Sequence, residues 1–287
     1  MNEFIPVAGL KDVPQKTTKL FKPAEGVRPI KPKIMVATPN LGSMCIRNTQ
    51  NLLAWFQSKD IAFMWYSPGG VVPHDRARNA AWKNFLESGY DAMFFMDAFT
   101  ALPDNGAGLY RMMKAMNDGV CENCGRIWTD GTCCSDPKRG DVDMIAAVPQ
   151  VYQITKEKVP SLVPVAYKWD KVRDGGGYFH YWTEKPGKID LVDVSTLACT
   201  LIRRKVLEDV RRPPFKFTMS DQWGIAGLGE DFYFCEGVRE KGYRIWADYS
   251  IIAHHYKMQD TRMVNDTLIA ELNAKMATME VKHGETV

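Results

Sequence analysis

Gly227–His255 reads G-L-G-E-D-F-Y-F-C-E-G-V-R-E-K-G-Y-R-I-W-A-D-Y-S-I-I-A-H-H. Glycines lead into an acidic pair, Glu230 and Asp231, at the expected start of a helix. Phe232, Cys235 and Val238 recur every three residues and give that helix one apolar face. Lys241-Gly242 supplies the stop, a cation in the last turn with glycine beyond it. Arg244–Ala247 and Ser250–Ala253 are short apolar runs of strand type, and the stretch closes on His254-His255. Two carboxylates open the unit and two imidazoles close it. A capped surface helix with two incidental histidines has the same letters, because the macrodipole alone favours acids at a helix start. The chemistry therefore has to be judged with the rest of the chain.

Upstream, the fold begins at Lys33. Ile34–Ala37 is an apolar run of the buried-strand kind, and Ser43 is placed to cap a helix to about Ser58, with Cys45, Leu52, Leu53 and Phe56 inward. Ile61–Tyr66 is a second strand. Asp75 then caps a helix to Ser88, with Ala77, Ala81 and Phe85 at i, i+4 and i+8. Asp91–Met96 is a third strand, Asp104–Asn117 a third helix, and Asp143–Val148 a fourth strand. This alternation predicts an α/β fold, a parallel sheet with helices on both faces. Later strands are expected at Val163–Tyr167, Tyr178–Trp182, Ile189–Val194 and Leu197–Ile202, with a short helix over Arg203–Val210. Residues 1–32, with five prolines and six lysines or arginines, read as an extended arm, and 257–287 as a C-terminal helix.

The composition is that of an ordinary globular protein: 45% hydrophobic and 25% charged over 287 residues. A net charge of +3 is too mild to imply nucleic acid by itself. No apolar run approaches the roughly 18 residues of a membrane span, and Met1–Pro14 lacks the pattern of a secretory signal. A soluble, cytoplasmic protein is expected. No G-x-G-x-x-G follows the first strand, which excludes the dinucleotide-binding dehydrogenase pattern.

Ligands of open α/β sheets bind at the carboxyl ends of the strands, and three features fall there. The Thr38-Pro39-Asn40-Leu41-Gly42 loop offers backbone donors after the first strand. In His74-Asp75-Arg76-Ala77-Arg78-Asn79, two arginines in the first turn of a helix oppose the macrodipole and call for an anion. Asp75 is one candidate anion and a bound diphosphate the other. Finally, Phe94-Phe95-Met96-Asp97 is an apolar strand ending in a rim carboxylate.

Together these stretches resemble inverting GT-A glycosyltransferases of the family 2 type, from about Lys33 to about Tyr256. The carriers are the glycine-led Glu230-Asp231 motif followed by a strand and histidine, the Arg76-Ala77-Arg78-Asn79 run, and Asp97. The resemblance implies a Rossmann-like nucleotide-binding sheet over residues 33–256 and transfer of a sugar, UDP-linked by expectation, to an acceptor hydroxyl. It implies Asp231 as base, with Glu230 orienting the loop or replacing it. Thr38, Pro39, Asn40, Arg76, Arg78, Asn79, Asp97 and Trp223 would face the nucleotide sugar. Asp97 and His255 would hold a divalent cation, Mn²⁺ or Mg²⁺, against its diphosphate. One departure stands out: the family's D-x-D motif has lost its second acid, with Phe99 in that place. That substitution keeps open a non-catalytic module that binds a nucleotide or glycan. Glycans, proteins and modified nucleobases all suit as acceptors, including DNA bases as in phage-type DNA-modifying enzymes.

Between the third helix and fourth strand lies a cysteine-rich insert, 119–141, holding Cys121, Cys124, Cys133 and Cys134. Cys-x-x-Cys-Gly is a knuckle that presents two thiolates to one Zn²⁺. The adjacent Cys133 and Cys134 are expected to supply only one further ligand, a fourth coming from elsewhere. Structural zinc, free thiols and disulfides are the alternatives. Cys45, Cys199 and Cys235 read as small buried hydrophobes.

Overall fold

The computed structural model describes residues 32–39, 44–68, 74–154, 160–170, 177–219 and 227–255. All belong to the compact unit that ends at His255. The expected arm apart from its last residue, Pro32, the helix over 257–287, and Asn40, Ser43 and Trp223 lie outside the described residues.

The centre is a mixed, mostly parallel sheet. Its strands are β1 (Lys33–Ala37), β2 (Ala62–Tyr66), β3 (Ala92–Met96), β4 (Met144–Ile154), β5 (Ile189–Val192), β6 (Cys199–Arg203) and β7 (Ile245–His255). They lie in the order β5-β7-β4-β6-β3-β1-β2. β1 pairs in parallel with β2 and β3, and β7 in parallel with β4. β6 runs antiparallel to both β3 and β4, and β5 antiparallel to β7. Five strands therefore point one way, and β6 is reversed in their midst.

β3 shows why the sheet is central. All five of its residues are buried, as expected of a strand covered on both faces. Phe94 and Met96 face one helix layer, with Leu52 and Trp55 of α1 (Ile46–Gln57) and Leu109 and Met112 of α3 (Ala107–Asp118). Met93 and Phe95 face the other layer. There they meet Ala81 and Phe85 of α2 (His74–Glu87), Val206 and Leu207 of α4 (Arg204–Asp209), and Phe234, Cys235 and Val238 of α5 (Glu230–Glu240). Each such large apolar side chain contributes about 1.5–3 kcal/mol by burial. No helix among the described residues is long and apolar enough to cross a membrane.

Several expected details are corrected. α1 buries Asn48, Asn51, Leu52 and Trp55, while Leu53 and Phe56 are 55% and 61% exposed. Its cap is Cys45, whose sulfur accepts the Asn48 N–H at 3.4 Å, so this half-exposed cysteine is not a core residue. Asp75 lies inside the first turn of α2. The third helix starts later than Asp104: Asp104 and Asn105 take positive φ in a 3-10 turn, and α3 starts after Gly106. The run Val163–Tyr167 is broken at Val165, one half pairing with β4 and the other joining a small antiparallel sheet with 177–180 and 194–195. Arg244–Ala247 and Ser250–Ala253, read as two runs, lie at and within one strand, β7, whose register against β4 shifts between Asp248 and Ile252. The Asp248 carboxylate accepts from Ser250 N at 3.0 Å across that irregularity.

Candidate functional site

The carboxyl ends of the parallel strands carry a cluster of three acids around one guanidinium. Asp97 follows β3, and Glu230 and Asp231 open α5 behind Gly229. Between them stands Arg78 of α2, 1% exposed. Its Nη2 donates to Asp97 at 3.0 Å, and its Nη1 to Glu230 at 2.7 Å and also to Asp231. Burial works against the charge of Arg78, but Asp231, Asp97 and Glu230 outweigh it and raise its pKa. Burial likewise raises the pKa of Glu230, against the pull of Arg78 and with the push of Asp231.

The carboxylates that meet Arg78 are thus Asp97, Glu230 and Asp231, and not its helix neighbour Asp75. Asp75 turns back to its neighbour, accepting Arg76 N at 2.8 Å. Arg76 is exposed. Asn79 spans to the loop before α5, exchanging hydrogen bonds with Phe215 O at 2.7 Å and Phe215 N at 3.3 Å.

Asp97 is held by a frame that sequence reading overlooked. Asn48 Nδ2 donates to Asp97 O at 2.9 Å and Thr100 O at 3.0 Å. Asn51 donates to Leu102 O at 3.2 Å and accepts Leu102 N at 2.9 Å. Thr100 Oγ1 lies 2.8 Å from Nδ1 of His255, which pairs with Thr100 across the strands. The reversed strand contributes too. Ala198 O, just before β6, accepts Asp97 N at 2.9 Å, and Leu197 N donates to Asp231 at 3.3 Å. Positions 48, 51, 52 and 55 follow helical spacing, the signal that would have found the asparagines. Thr38 and Pro39, buried at the end of β1, close this rim, with Thr38 N bonded to Tyr66 O at 2.9 Å.

The insert runs between Gly119 after α3 and Val142 before β4 and packs against the β5 edge of the sheet. There Cys121, Cys124, Cys133 and Cys134 all converge, their sulfurs within 4.8 Å of one another. Among the described residues, this is the group of three or more potential ligands whose donor atoms meet. The expectation that only one of Cys133 and Cys134 could join is corrected: Cys133 lies 3.4 Å from Cys124 and Cys134 lies 3.7 Å from Cys121. Burial raises the pKa of Cys121, but backbone N–H donors and Cys133 bring it down to about 6. Hydrogen bonding to Cys121, then burial, pushes Cys133 up to about 12.

No family model matches the chain, and no curated protein matches it in sequence. Among solved structures it is similar to the crystal structure of A197 from STIV, at 19% identity and a TM-score of 0.43, over 78% of this chain and 86% of that one. It is also similar to the crystal structure of GalNAc-T7 with UDP, GalNAc and Mn²⁺, at 10% identity and a TM-score of 0.41. That match covers 81% of this chain and 45% of the other. Likeness at this level says nothing of catalysis, so the functional case rests on the side chains.

Proposed function

We propose that the chain is a glycosyltransferase that moves a sugar from a nucleotide-sugar donor, UDP-linked, to an acceptor hydroxyl with inversion, its catalytic unit being 33–256. The observation that carries this reading is the meeting of Asp97, Arg78 and the Glu230-Asp231 pair at one rim. These groups come from three separate segments of the chain.

In this reading Asp231 takes the proton of the acceptor hydroxyl as that oxygen attacks the anomeric carbon. The bond from that carbon to the donor's diphosphate breaks, and the nucleoside diphosphate leaves with the electron pair. Arg78 orients Asp231 and Glu230 through its contacts with both. Thr38, Pro39, Asn40, Arg76, Asn79 and Trp223 are assigned to the donor side. Asp97 has one oxygen on Arg78 and His255 has Nδ1 on Thr100. One carboxylate oxygen and one imidazole nitrogen are left for a cation, a set that suits Mn²⁺ or Mg²⁺ only when phosphate oxygens complete the shell. When bound, such an ion neutralises charge on the diphosphate. The four-cysteine cluster is assigned to a structural Zn²⁺ with no part in transfer.

A second reading, a binding module without turnover, is favoured by the same guanidinium: Arg78 already neutralises acids that a catalytic site would leave to metal and substrate. Incubation with UDP-sugars and Mn²⁺ separates the two. Release of UDP with transfer or hydrolysis supports the enzyme, and nucleotide binding without turnover supports the module.

A further inference from the structure

The knuckle at Cys121–Gly125 is built by its own backbone. Gly125 N donates to Cys121 O at 2.8 Å and Cys121 N to Arg126 O at 2.8 Å. Gly125 sits at φ +70°, a left-handed position that glycine takes without strain. The second half of the insert wraps back over it, with Asn123 Nδ2 donating to Asp136 O at 2.6 Å and the Cys134 thiol lying 3.4 Å from the same oxygen. A tetrahedral shell of thiolates at about 2.3 Å from Zn²⁺ sets its sulfurs about 3.8 Å apart. The two Sγ–Sγ distances of 3.4 and 3.7 Å, with every other pair inside 4.8 Å, match that shell.

The same knuckle is fastened to an edge of the main sheet. Ile189 N, at the start of edge strand β5, donates to Gly125 O at 3.2 Å, and Gly187 N donates to Cys124 O at 2.9 Å. The approach is so close that a Cβ on Gly125 would lie 2.3 Å from Ile189 O, and one on Gly187 2.2 Å from the Gly125 carbonyl carbon. Glu122 adds charge to the join. Its carboxylate meets Lys138 at 2.6 Å and Arg244, at the threshold of β7, while its carbonyl accepts from Lys185.

We infer that one Zn²⁺, held by all four of Cys121, Cys124, Cys133 and Cys134, staples the insert onto β5 and so closes the start of that edge strand. This rests on the reading of the cluster as a metal site, and adds the full ligand set and the purpose. Edge strands present unpaired backbone groups that proteins commonly cover, and a metal-locked knuckle is such a cover.

The full chain, purified without chelators, is expected to hold about one Zn per molecule. Its Co²⁺-substituted form should show thiolate-to-cobalt charge transfer, weakened in both Cys133→Ser and Cys134→Ser. Hydrogen exchange before and after chelation then reads the staple: Gly187–Val192 should lose protection, while Ala92–Met96 keeps it. A single-serine variant with an unchanged cobalt spectrum overturns the four-thiolate set. Unchanged exchange at Ile189 overturns the staple. Protein with no metal, whether its thiols are free or paired in disulfides, overturns the metal reading itself and leaves the transferase proposal standing.

Discussion

The acid cluster at the rim and the cysteine cluster of the insert gather like groups in opposite ways. At the carboxyl end, three carboxylates converge and the chain supplies the cation, Arg78, with 2% of its side chain exposed. In the insert, four sulfurs converge, yet the nearby cations Lys138 and Arg244 are drawn to Glu122. A group of like ligands that contains its own counter-charge is a fixed part of the fold. A group whose neighbouring cations are committed elsewhere has room for an ion from outside. On the proposed reading, the difference separates a polar centre that orients reacting groups from a metal site that holds structure.

The sharpest way to break that contrast is to remove the internal cation. Arg78→Met leaves three acids without their shared partner, and should lower unfolding free energy by about 3–5 kcal/mol, the usual result of breaking a buried ion pair. Denaturant unfolding measures this, and a loss under about 1 kcal/mol would show that solvent, not Arg78, neutralises the acids. Asp231→Asn keeps the hydrogen-bonding shape and removes the base. Transfer should drop about 10²-fold or more while nucleotide binding persists; equal rates would pass the role to Glu230 or dismiss the site.

Next comes the frame. Asn51→Ala strips Leu102 N and O of their partners and should cost about 1–3 kcal/mol, read by thermal or chemical denaturation. A neutral result would mean that the turn after β3 is held by Asn48 alone.

The smallest effect is a pH dependence. Burial places the folded-state pKa of Glu230 above the ordinary 4.5. Its stabilising contribution is therefore complete below that value and is lost as pH rises through the folded pKa. Glu230→Gln does not titrate, so its stability relative to wild type should improve from about pH 4 to pH 7. A flat difference across that window contradicts the inversion.

Much of this was legible in the chain. Strand–helix alternation gave the layers, and α5 with its Lys241-Gly242 stop lies where its letters put it. Single site residues stood out as well, but their pairings did not. Arg78 and Glu230 are 152 positions apart, and only the sheet topology brings them together. The buried face of α1 escaped notice because two of its four members, Asn48 and Asn51, are polar and serve backbone groups rather than the apolar core. Adjacent cysteines look divergent if the segment is imagined as an extended strand. Here it wraps the knuckle, so Cys133 meets Cys124 and Cys134 meets Cys121.

The reversed strand β6 also sets when the rim can exist. Its neighbours are distant in sequence, Leu201 lying beside Phe94 roughly a hundred residues earlier, and such closures are slow to form. Leu197 and Ala198, which hold Asp231 and Asp97, arrive only with that strand. Nascent chain lacking it does not have this rim. Binding competence at the acids is therefore expected to be the last property this protein acquires as it folds, and the first it loses on unfolding from the middle of the sheet.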